Sequence, residues 1–225
     1  MFRTTAKAIR HNMVLAVVLC NWLIAAAAGQ AAPLRIVVFG DSLVAGYGLK
    51  SSEAFPAQLE RLLRARGHAV EVINAGVSGD TTAGGLERMQ WAIPEHTDAV
   101  ILELGANDAL RGLDPARAKS NLDRMITTLK ARGADVLLAG MLAPRNLGEA
   151  YVHDFNGIYP ELASKHGVLF YPFFLDGVAL DAKLSLDDGL HPNSKGVVKI
   201  AQSILPDVER LIEKVRTRQA AHSKG

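Results

Sequence analysis

The chain has 225 residues, of which 49% are hydrophobic and 21% are charged, and it carries 25 Lys and Arg against 23 Asp and Glu. This near balance of charge argues against a nucleic-acid partner, and the length suits one globular domain with a sizeable core. Cys20 is the single cysteine, so an intramolecular disulfide and a metal site built from several cysteines are both excluded.

The N-terminal residues have the composition of a secretory signal peptide. Three basic residues precede an apolar run at 13–28, which ends in Ala26-Ala27-Ala28. The run has about sixteen residues, whereas a spanning helix needs roughly twenty, so a transmembrane anchor is the weaker interpretation. We therefore predict a cleaved leader at residues 1–32, a periplasmic or secreted protein without a stable membrane anchor, and a mature domain at 33–225.

Two further observations concern this leader. A lipoprotein anchored at Cys20 is an alternative, but the preceding Leu19 is larger than the small residue usual before a lipidated cysteine. Removal of the leader would also remove Arg3, Lys7 and Arg10, leaving 22 basic against 23 acidic residues and a net charge of −1. The sequence pI of about 8.7 therefore describes the precursor.

From residue 34 onwards, short apolar segments alternate with amphipathic ones. The pattern predicts five strands, at 35–39, 70–74, 99–104, 135–140 and 168–171. It predicts helices at 55–66, 115–132, 151–166 and 192–214, followed by a frayed tail at 217–225. Strands that alternate with helices favour a parallel sheet with right-handed crossovers. We expect an α/β fold, a three-layer α/β/α sandwich around a five-stranded parallel sheet.

A serine follows the first predicted strand, in the segment Phe39-Gly40-Asp41-Ser42-Leu43. Sites in open parallel sheets form beyond the carboxyl ends of the strands, so Ser42 is placed as a nucleophile. A helix N-cap is the structural alternative for this serine. The later Ser78 lies in Gly76-Val77-Ser78-Gly79-Asp80, which fails the G-x-S-x-G pattern at its last position, so Ser78 is not predicted to react.

A histidine and a carboxylate that would activate this serine occur together in Asp187-Asp188-Gly189-Leu190-His191-Pro192. A serine hydroxyl needs a base within reach and a carboxylate that fixes the imidazole tautomer. His191 is the predicted base, and Asp188 or Asp187 is its orienter. Metal coordination by this cluster is disfavoured, because no second histidine and carboxylate group has matching spacing. The remaining histidines are expected to be solvated: His68, His96, His153, His166 and His222.

Two more segments follow strand-like runs, Asn74-Ala75-Gly76-Val77-Ser78-Gly79-Asp80-Thr81-Thr82 and Leu102-Glu103-Leu104-Gly105-Ala106-Asn107-Asp108. Together with the serine and histidine segments, they resemble the SGNH, or GDSL-type, hydrolase family, whose four blocks centre on a serine, a glycine, an asparagine and a histidine. The residues around these four positions are similar to those in a bacterial periplasmic subgroup of arylesterases, thioesterases I and lysophospholipases. The resemblance covers nearly all of the chain after residue 33.

The resemblance implies a flavodoxin-like SGNH hydrolase fold and a serine esterase that needs no cofactor and no metal. Its substrates would be aryl esters, acyl-thioesters and lysophospholipids, cleaved through an acyl-Ser42 intermediate. The family pattern selects Asp188 over Asp187, and it implies an oxyanion hole formed by the Ser42 amide, the Gly79 amide and the Asn107 side chain. Gly79 and Asn107 also have the simpler interpretations of a turn glycine and a helix cap.

Three other functions remain as alternatives. The alternatives are a carbohydrate acetylesterase of the same family, a non-catalytic flavodoxin-like binding protein and a membrane-bound acyltransferase.

Asp108 is expected to be structural, and Asp41, Thr81 and Thr82 to hold the loops by hydrogen bonds. Phe55 and Trp91 are expected in the core, whereas Phe170, Phe173 and Phe174 are candidates for an acyl pocket.

Overall fold

A computed structural model describes residues 32–223 of the chain, so the predicted leader lies outside the described residues apart from its last position. The domain is built on one sheet of five parallel strands in the order β2-β1-β3-β4-β5. The strands are β1 (Leu34–Gly40), β2 (Val70–Gly76), β3 (Ala99–Glu103), β4 (Asp135–Ala139) and β5 (Leu169–Tyr171). Each predicted strand is confirmed to within two residues at either end.

Helices cover both faces of this sheet. They are α1 (Ser42–Ala45), α2 (Phe55–Ala65), α3 (Thr82–Ala92), α4 (Ala106–Leu110), α5 (Pro115–Ala131), α6 (Glu149–His166) and α7 (Ser194–His222). Helix α2 packs against α7, while α5 packs against α3 and α6. The central strand β3 is buried along its whole length, as expected where both faces of a parallel sheet are covered. The predicted three-layer α/β/α sandwich is confirmed.

The order of the strands determines where in the fold the candidate site lies. The chain leaves β1 towards β2 on one side, and it then returns across β1 to β3 on the other side. In open α/β sheets this reversal opens a crevice beyond the carboxyl ends of the two strands that flank it. Ser42 follows β1 and Asn107 follows β3, so both lie at this crevice.

The last helix is longer than predicted, and the expectation of a frayed tail from Thr217 is wrong as far as His222. Val215 continues the buried stripe beyond residue 214. Arg218 then donates from Nε to Asp135 Oδ2 at 2.9 Å and from an Nη atom to the Asp98 carbonyl at 3.1 Å. These contacts attach the final turns to the ends of the strands and explain why they do not fray.

Helix α3 was not predicted, because Gly84 and Gly85 interrupt its pattern. Thr81 caps it by accepting the N–H of Gly84 at 3.3 Å. A Cβ atom at Gly85 would lie 2.3 Å from Leu104 Cδ1, so glycine is required for the helix to approach the sheet this closely. The residue that weakens the helical pattern is therefore the one that permits the packing.

Several single-residue expectations are corrected. Phe55 is fully buried as predicted, but Trp91 is 76% exposed, because it lies on the solvent side of α3 near its end. His68 and His166 are mostly buried side chains that pair with Glu209 and Asp123. Among residues 32–223, no helix is both long and apolar enough to span a membrane.

Candidate active site

Ser42 begins helix α1 directly after the first strand. Asp41, rather than Ser42, caps this helix, because its Oδ1 accepts the N–H of Leu43 at 3.0 Å. A Cβ atom on Gly40 would lie 2.4 Å from both Glu103 Oε2 and Val44 Cγ2. The turn is therefore possible only with glycine at this position, and it brings the hydroxyl of Ser42 to the edge of the sheet.

The imidazole of His191 joins Ser42 to Asp188. Its Nε2 lies 3.0 Å from Ser42 Oγ, and its Nδ1 lies 2.7 Å from Asp188 Oδ2. The carboxylate at the imidazole is thus that of Asp188, and the contacts of the described residues place no carboxylate of Asp187 there. The three predicted residues Ser42, Asp188 and His191 are brought together in one continuous hydrogen-bonded relay.

The Asp188 carboxylate is fixed by its own loop. Its Oδ1 accepts the N–H groups of Leu190 at 2.9 Å and His191 at 3.0 Å. These two amides, together with the His191 ring, lower the pKa of Asp188 to about 2. Gly189 has a φ of +68°, which lets the chain turn sharply enough for one residue to bond the amide and the ring of His191. Asp188 therefore stays ionised at neutral pH.

Gly79 lies in the loop after β2 with a φ of +83°. Its carbonyl accepts from an Nη atom of Arg111 at 2.9 Å, and the next residue, Asp80, donates its N–H to the Val77 carbonyl at 3.1 Å. This turn follows the carboxyl end of β2, as Ser42 follows the carboxyl end of β1. The interpretation as a turn glycine therefore holds, and it is compatible with a role for the amide.

Asn107 lies in the first turn of α4, but it is not the cap of that helix. Gly105 is the cap, with a φ of +123°, and a Cβ atom there would lie 2.2 Å from the hydroxyl oxygen of Tyr159. The Asn107 Nδ2 donates to Asp41 Oδ2 at 3.1 Å and to the Asp80 carbonyl at 3.0 Å. The asparagine therefore connects the serine turn with the loop of Gly79, and the structure brings all four predicted segments to one place.

This geometry agrees with the result of sequence comparison, in which the profile of the GDSL-like lipase/acylhydrolase family matches residues 38–198. The chain belongs to this family. Within it, an arylesterase of Vibrio mimicus is 41% identical over 183 residues, which cover 81% of this chain and 91% of that protein. The thioesterase 1/protease 1/lysophospholipase L1 of Escherichia coli K12 is 36% identical, over 81% of this chain and 86% of its own.

A solved structure extends the likeness to the fold. The crystal structure of TesA is 36% identical to this chain, superposes with a TM-score of 0.75, and covers 79% of this chain and 99% of its own. Membership of the GDSL family makes the chain a serine esterase that acts on small-molecule ester substrates. The alternative of a non-catalytic flavodoxin-like binding protein is therefore set aside.

The GDSL site is braced by the hydrogen bonds expected from its polar residues. Asp108 is 3% exposed, and its carboxylate accepts the N–H of Thr82 at 2.8 Å and the hydroxyl of Thr82 at 2.6 Å. It thereby fixes the start of α3 against α4. Asp108 and Thr82 serve as structural links, as predicted.

Sequence reasoning missed Arg88, although its side chain connects the backbone segments that carry the site. It is 7% exposed and lies with its guanidinium 4.0 Å from the centroid of the Phe39 ring. Its Nη atoms donate to the carbonyls of Ala75 and Gly40, each at 2.9 Å, and its Nε pairs with Asp80. One buried side chain thus ties the ends of β1 and β2 to the Gly79 loop. An arginine within a weakly amphipathic helix gave no signal of this role.

The predicted acyl pocket is not formed as expected. Phe174 is fully buried and packs edge-on against Phe55, with ring centroids 4.9 Å apart, so the prediction is wrong for this residue. Phe170 and Phe173 are partly buried against the core. Within residues 32–223, no three His, Cys, Asp or Glu side chains are grouped as metal ligands.

Proposed function

We propose that this GDSL-family esterase cleaves carboxylic esters and thioesters through an acyl-Ser42 intermediate, with His191 as the general base and Asp188 as its orienter. The observation that carries the proposal is the relay of 3.0 Å from Ser42 Oγ to His191 Nε2 and 2.7 Å from His191 Nδ1 to Asp188 Oδ2. Both distances are those of hydrogen bonds through which a proton can move. Because Asp188 is ionised, it favours the tautomer with the proton on Nδ1 and leaves Nε2 free to accept.

The reaction then proceeds in two halves. Ser42 Oγ attacks the carbonyl carbon while its proton moves to His191 Nε2, and the tetrahedral intermediate collapses as that proton passes to the departing alcohol or thiol. A water molecule next gives a proton to His191 and attacks the acyl carbon. The carboxylic acid leaves, and the proton returns to Ser42.

The carbonyl oxygen becomes negative during both attacks and needs hydrogen-bond donors. We assign this role to the amides of Ser42 and Gly79 and to the side-chain amide of Asn107. The support is that Asn107 Nδ2 lies 3.0 Å from the carbonyl oxygen of Asp80, the residue after Gly79, and 3.1 Å from Asp41, the residue before Ser42. The three donors therefore belong to segments that meet around one side chain.

The side chains around the site favour acyl chains and aromatic groups as substrate parts. Large exposed apolar side chains lie in the segments that follow the five strands, and among the described residues they are Tyr47, Val77, Trp91, Leu110, Leu113, Leu142, Leu180 and Leu190. Aryl esters, acyl-thioesters and lysophospholipids have apolar groups that can pack against such side chains, whereas an acetylated sugar has few. We therefore place the arylesterase and lysophospholipase type ahead of the carbohydrate acetylesterase.

We also propose export. The basic start, the apolar run at 13–28 and the alanines that follow are typical of a cleaved leader, which would yield a periplasmic or secreted enzyme without a membrane anchor. N-terminal sequencing of the exported protein should begin between Gly29 and Pro33. An intact Met1 on enzyme extracted from membranes would contradict this.

A fluorophosphonate tests the assignment of the nucleophile. The purified mature protein should be modified once, at Ser42, and should lose its turnover of p-nitrophenyl esters in proportion. Ser42→Ala should lower kcat by about a millionfold if the three residues act as a unit, whereas the matched variant Ser78→Ala should label and turn over like the wild type. Labelling at Ser78 or another serine, with Ser42 unmodified, would overturn the assignment.

A further inference from the structure

The ring of Tyr47 lies against the ring of His191, a contact that the reaction described above does not use. The two ring centroids are 4.4 Å apart and the planes are inclined by 33°. Tyr47 remains 51% exposed, so burial in the core does not explain its position. Within residues 32–223 its hydroxyl has no hydrogen-bond partner, and the contact is therefore made by the aromatic face.

The backbone holds this ring in place through Ser42 itself. Gly46 adopts a left-handed conformation with a φ of +83°, which ends helix α1. The N–H of Tyr47 then donates to the Ser42 carbonyl at 3.1 Å. Ser42 is thus bonded to Tyr47 through its backbone and to His191 through its side chain. The rings of Tyr47 and His191 in turn contact each other.

The loop of His191 is held against the same turn. A Cβ atom on Gly48 would lie 2.8 Å from Leu186 Cδ1, so the chain after Tyr47 packs closely on Leu186. The N–H of Leu186 in turn donates to the His191 carbonyl at 2.7 Å. These contacts hold the two segments that carry the rings of Tyr47 and His191 beside each other.

We propose that Tyr47 is a positioning residue of the ester hydrolysis: its ring fixes the plane of the His191 imidazole and stabilises the imidazolium formed when Ser42 gives up its proton. This inference rests on the proposed function, because it assumes that His191 receives that proton. The face of an aromatic ring attracts a cation within about 6 Å of its centroid. The side chain of His191 is 21% exposed, and the ring of Tyr47 covers part of a surface that would otherwise face water.

Two acidic groups face His191, and both must be separated from the effect of Tyr47. Asp188 bonds it from its own loop, and Asp41 acts on it from the serine turn. Both carboxylates are kept in every Tyr47 variant. Differences among Tyr47 variants therefore report the ring, and not these carboxylates.

Three variants separate the ring from its hydroxyl and its bulk. Tyr47→Leu keeps apolar volume without an aromatic face and should lower kcat on a p-nitrophenyl ester by roughly two- to fivefold, with little change in KM. Tyr47→Ala should lose at least as much. Tyr47→Phe keeps the ring and should restore most of the activity that Tyr47→Leu loses.

Trp91→Leu is the matched control, since it removes an exposed aromatic residue at the C-terminal end of α3 and should change neither kcat nor KM. A Tyr47→Leu enzyme with the kcat of the wild type would overturn the positioning role, as would a Tyr47→Phe enzyme as impaired as Tyr47→Leu. Fluorophosphonate titration separates the failures. If Ser42 is labelled once per chain in an unimpaired Tyr47→Leu enzyme, only the positioning role fails, whereas an active Ser42→Ala enzyme overturns the proposed function as well.

Discussion

The Oε2 atom of Glu103 lies 3.3 Å from the backbone nitrogen of Asp41 and accepts its N–H beneath the turn that carries Ser42. Glu103 is fully buried, and its other oxygen, Oε1, has no hydrogen-bond partner among the described residues. Burial, and then the charge of Asp41, raise the pKa of Glu103 well above its usual range. The serine turn of this GDSL enzyme therefore rests on a carboxyl group that favours its neutral form.

We expect Glu103→Gln to make the protein less sensitive to high pH. Glutamine keeps the shape of the neutral acid and an oxygen for the Asp41 amide. Because the pKa of Glu103 is raised in the folded chain, its contribution to stability is present below the unfolded pKa and is lost as the pH rises. Between pH 5 and pH 8 the variant should therefore gain unfolding free energy relative to the wild type.

Urea unfolding followed by circular dichroism at the two pH values measures this difference. The exposed Glu87 offers a control, since Glu87→Gln removes a carboxylate from α3 and leaves Glu103 and Asp41 in place. A difference between Glu103→Gln and the wild type that is the same at both pH values would mean that Glu103 is already charged at pH 5 in the folded protein, and that its pKa is not raised.

The two adjacent acids at 187 and 188 give a matched pair of variants. Asp188→Asn removes the charge that fixes the His191 tautomer and should lower kcat by up to about ten-thousandfold with folding intact. Asp187→Asn should stay within about threefold of the wild type, because Asp188 is the one of these two acids that bonds the imidazole. Steady-state kinetics on a short aryl ester compare the two, and a larger loss in Asp187→Asn would reverse the assignment of the orienter.

Gly79 and Gly67 form a second matched pair, with φ values of +83° and +84°. Alanine at either position carries the same left-handed strain, so each variant should lose about 1 to 2 kcal/mol of stability. Space is not the cause, since a Cβ at Gly79 would lie 3.7 Å from its nearest neighbour and one at Gly67 would meet nothing within 4 Å.

Only Gly79→Ala should also lose activity, because strain there turns the amide that we assign to the oxyanion hole. We expect a fall in kcat of at least about tenfold against no more than twofold for Gly67→Ala, with thermal unfolding measured for both. Equal kcat values in two equally destabilised variants would remove Gly79 from the catalytic machinery and leave it as a turn glycine.

The strands and the four family segments could be predicted from sequence because each depends on local pattern. Apolar runs identify the strands, and Gly40, Ser42 and His191 occur in short segments whose residue types have few other uses together. What could not be predicted depends on contacts between distant parts of the chain. Arg88 acts through hydrogen bonds to the carbonyls of Ala75 and Gly40. The sequence of α3 does not indicate these distant partners.

The same reason explains the errors at single residues. Trp91 and Phe174 are both large and aromatic, but the face of α3 exposes the first, while the segment after β5 carries the second into the core against Phe55. Composition gives the preference of a side chain for burial, and only the packing of elements decides it. The end of α7 is similar, because Arg218 is held by Asp135, which lies 83 positions earlier in the chain.

The side-chain amide of Asn107 already has two hydrogen-bond acceptors in the free enzyme. Both hydrogens of its Nδ2 are engaged, one with Asp41 Oδ2 at 3.1 Å and the other with the Asp80 carbonyl at 3.0 Å. Burial raises the pKa of Asp41 to about 6, against the opposing effects of the Leu43 amide and the Asn107 amide. A substrate oxygen must therefore share or replace one of these acceptors, which a neutral carbonyl does poorly and an oxyanion does well.

Asn107→Ala should accordingly lower kcat by roughly a hundred- to a thousandfold, the usual effect of removing one oxyanion donor, while KM stays nearly unchanged because the contact forms mainly in the transition state. Asp41→Asn keeps an acceptor oxygen for the Leu43 amide but turns a second amide towards Asn107. If Asp41 acts by orienting Asn107, the double variant should be no slower than Asn107→Ala alone, since the two effects share one pathway. Steady-state kinetics on a short aryl ester give these values, with folding checked by circular dichroism. A folded Asn107→Ala enzyme within about threefold of the wild-type kcat would show that Asn107 only connects the two loops and that the oxyanion is held by backbone amides.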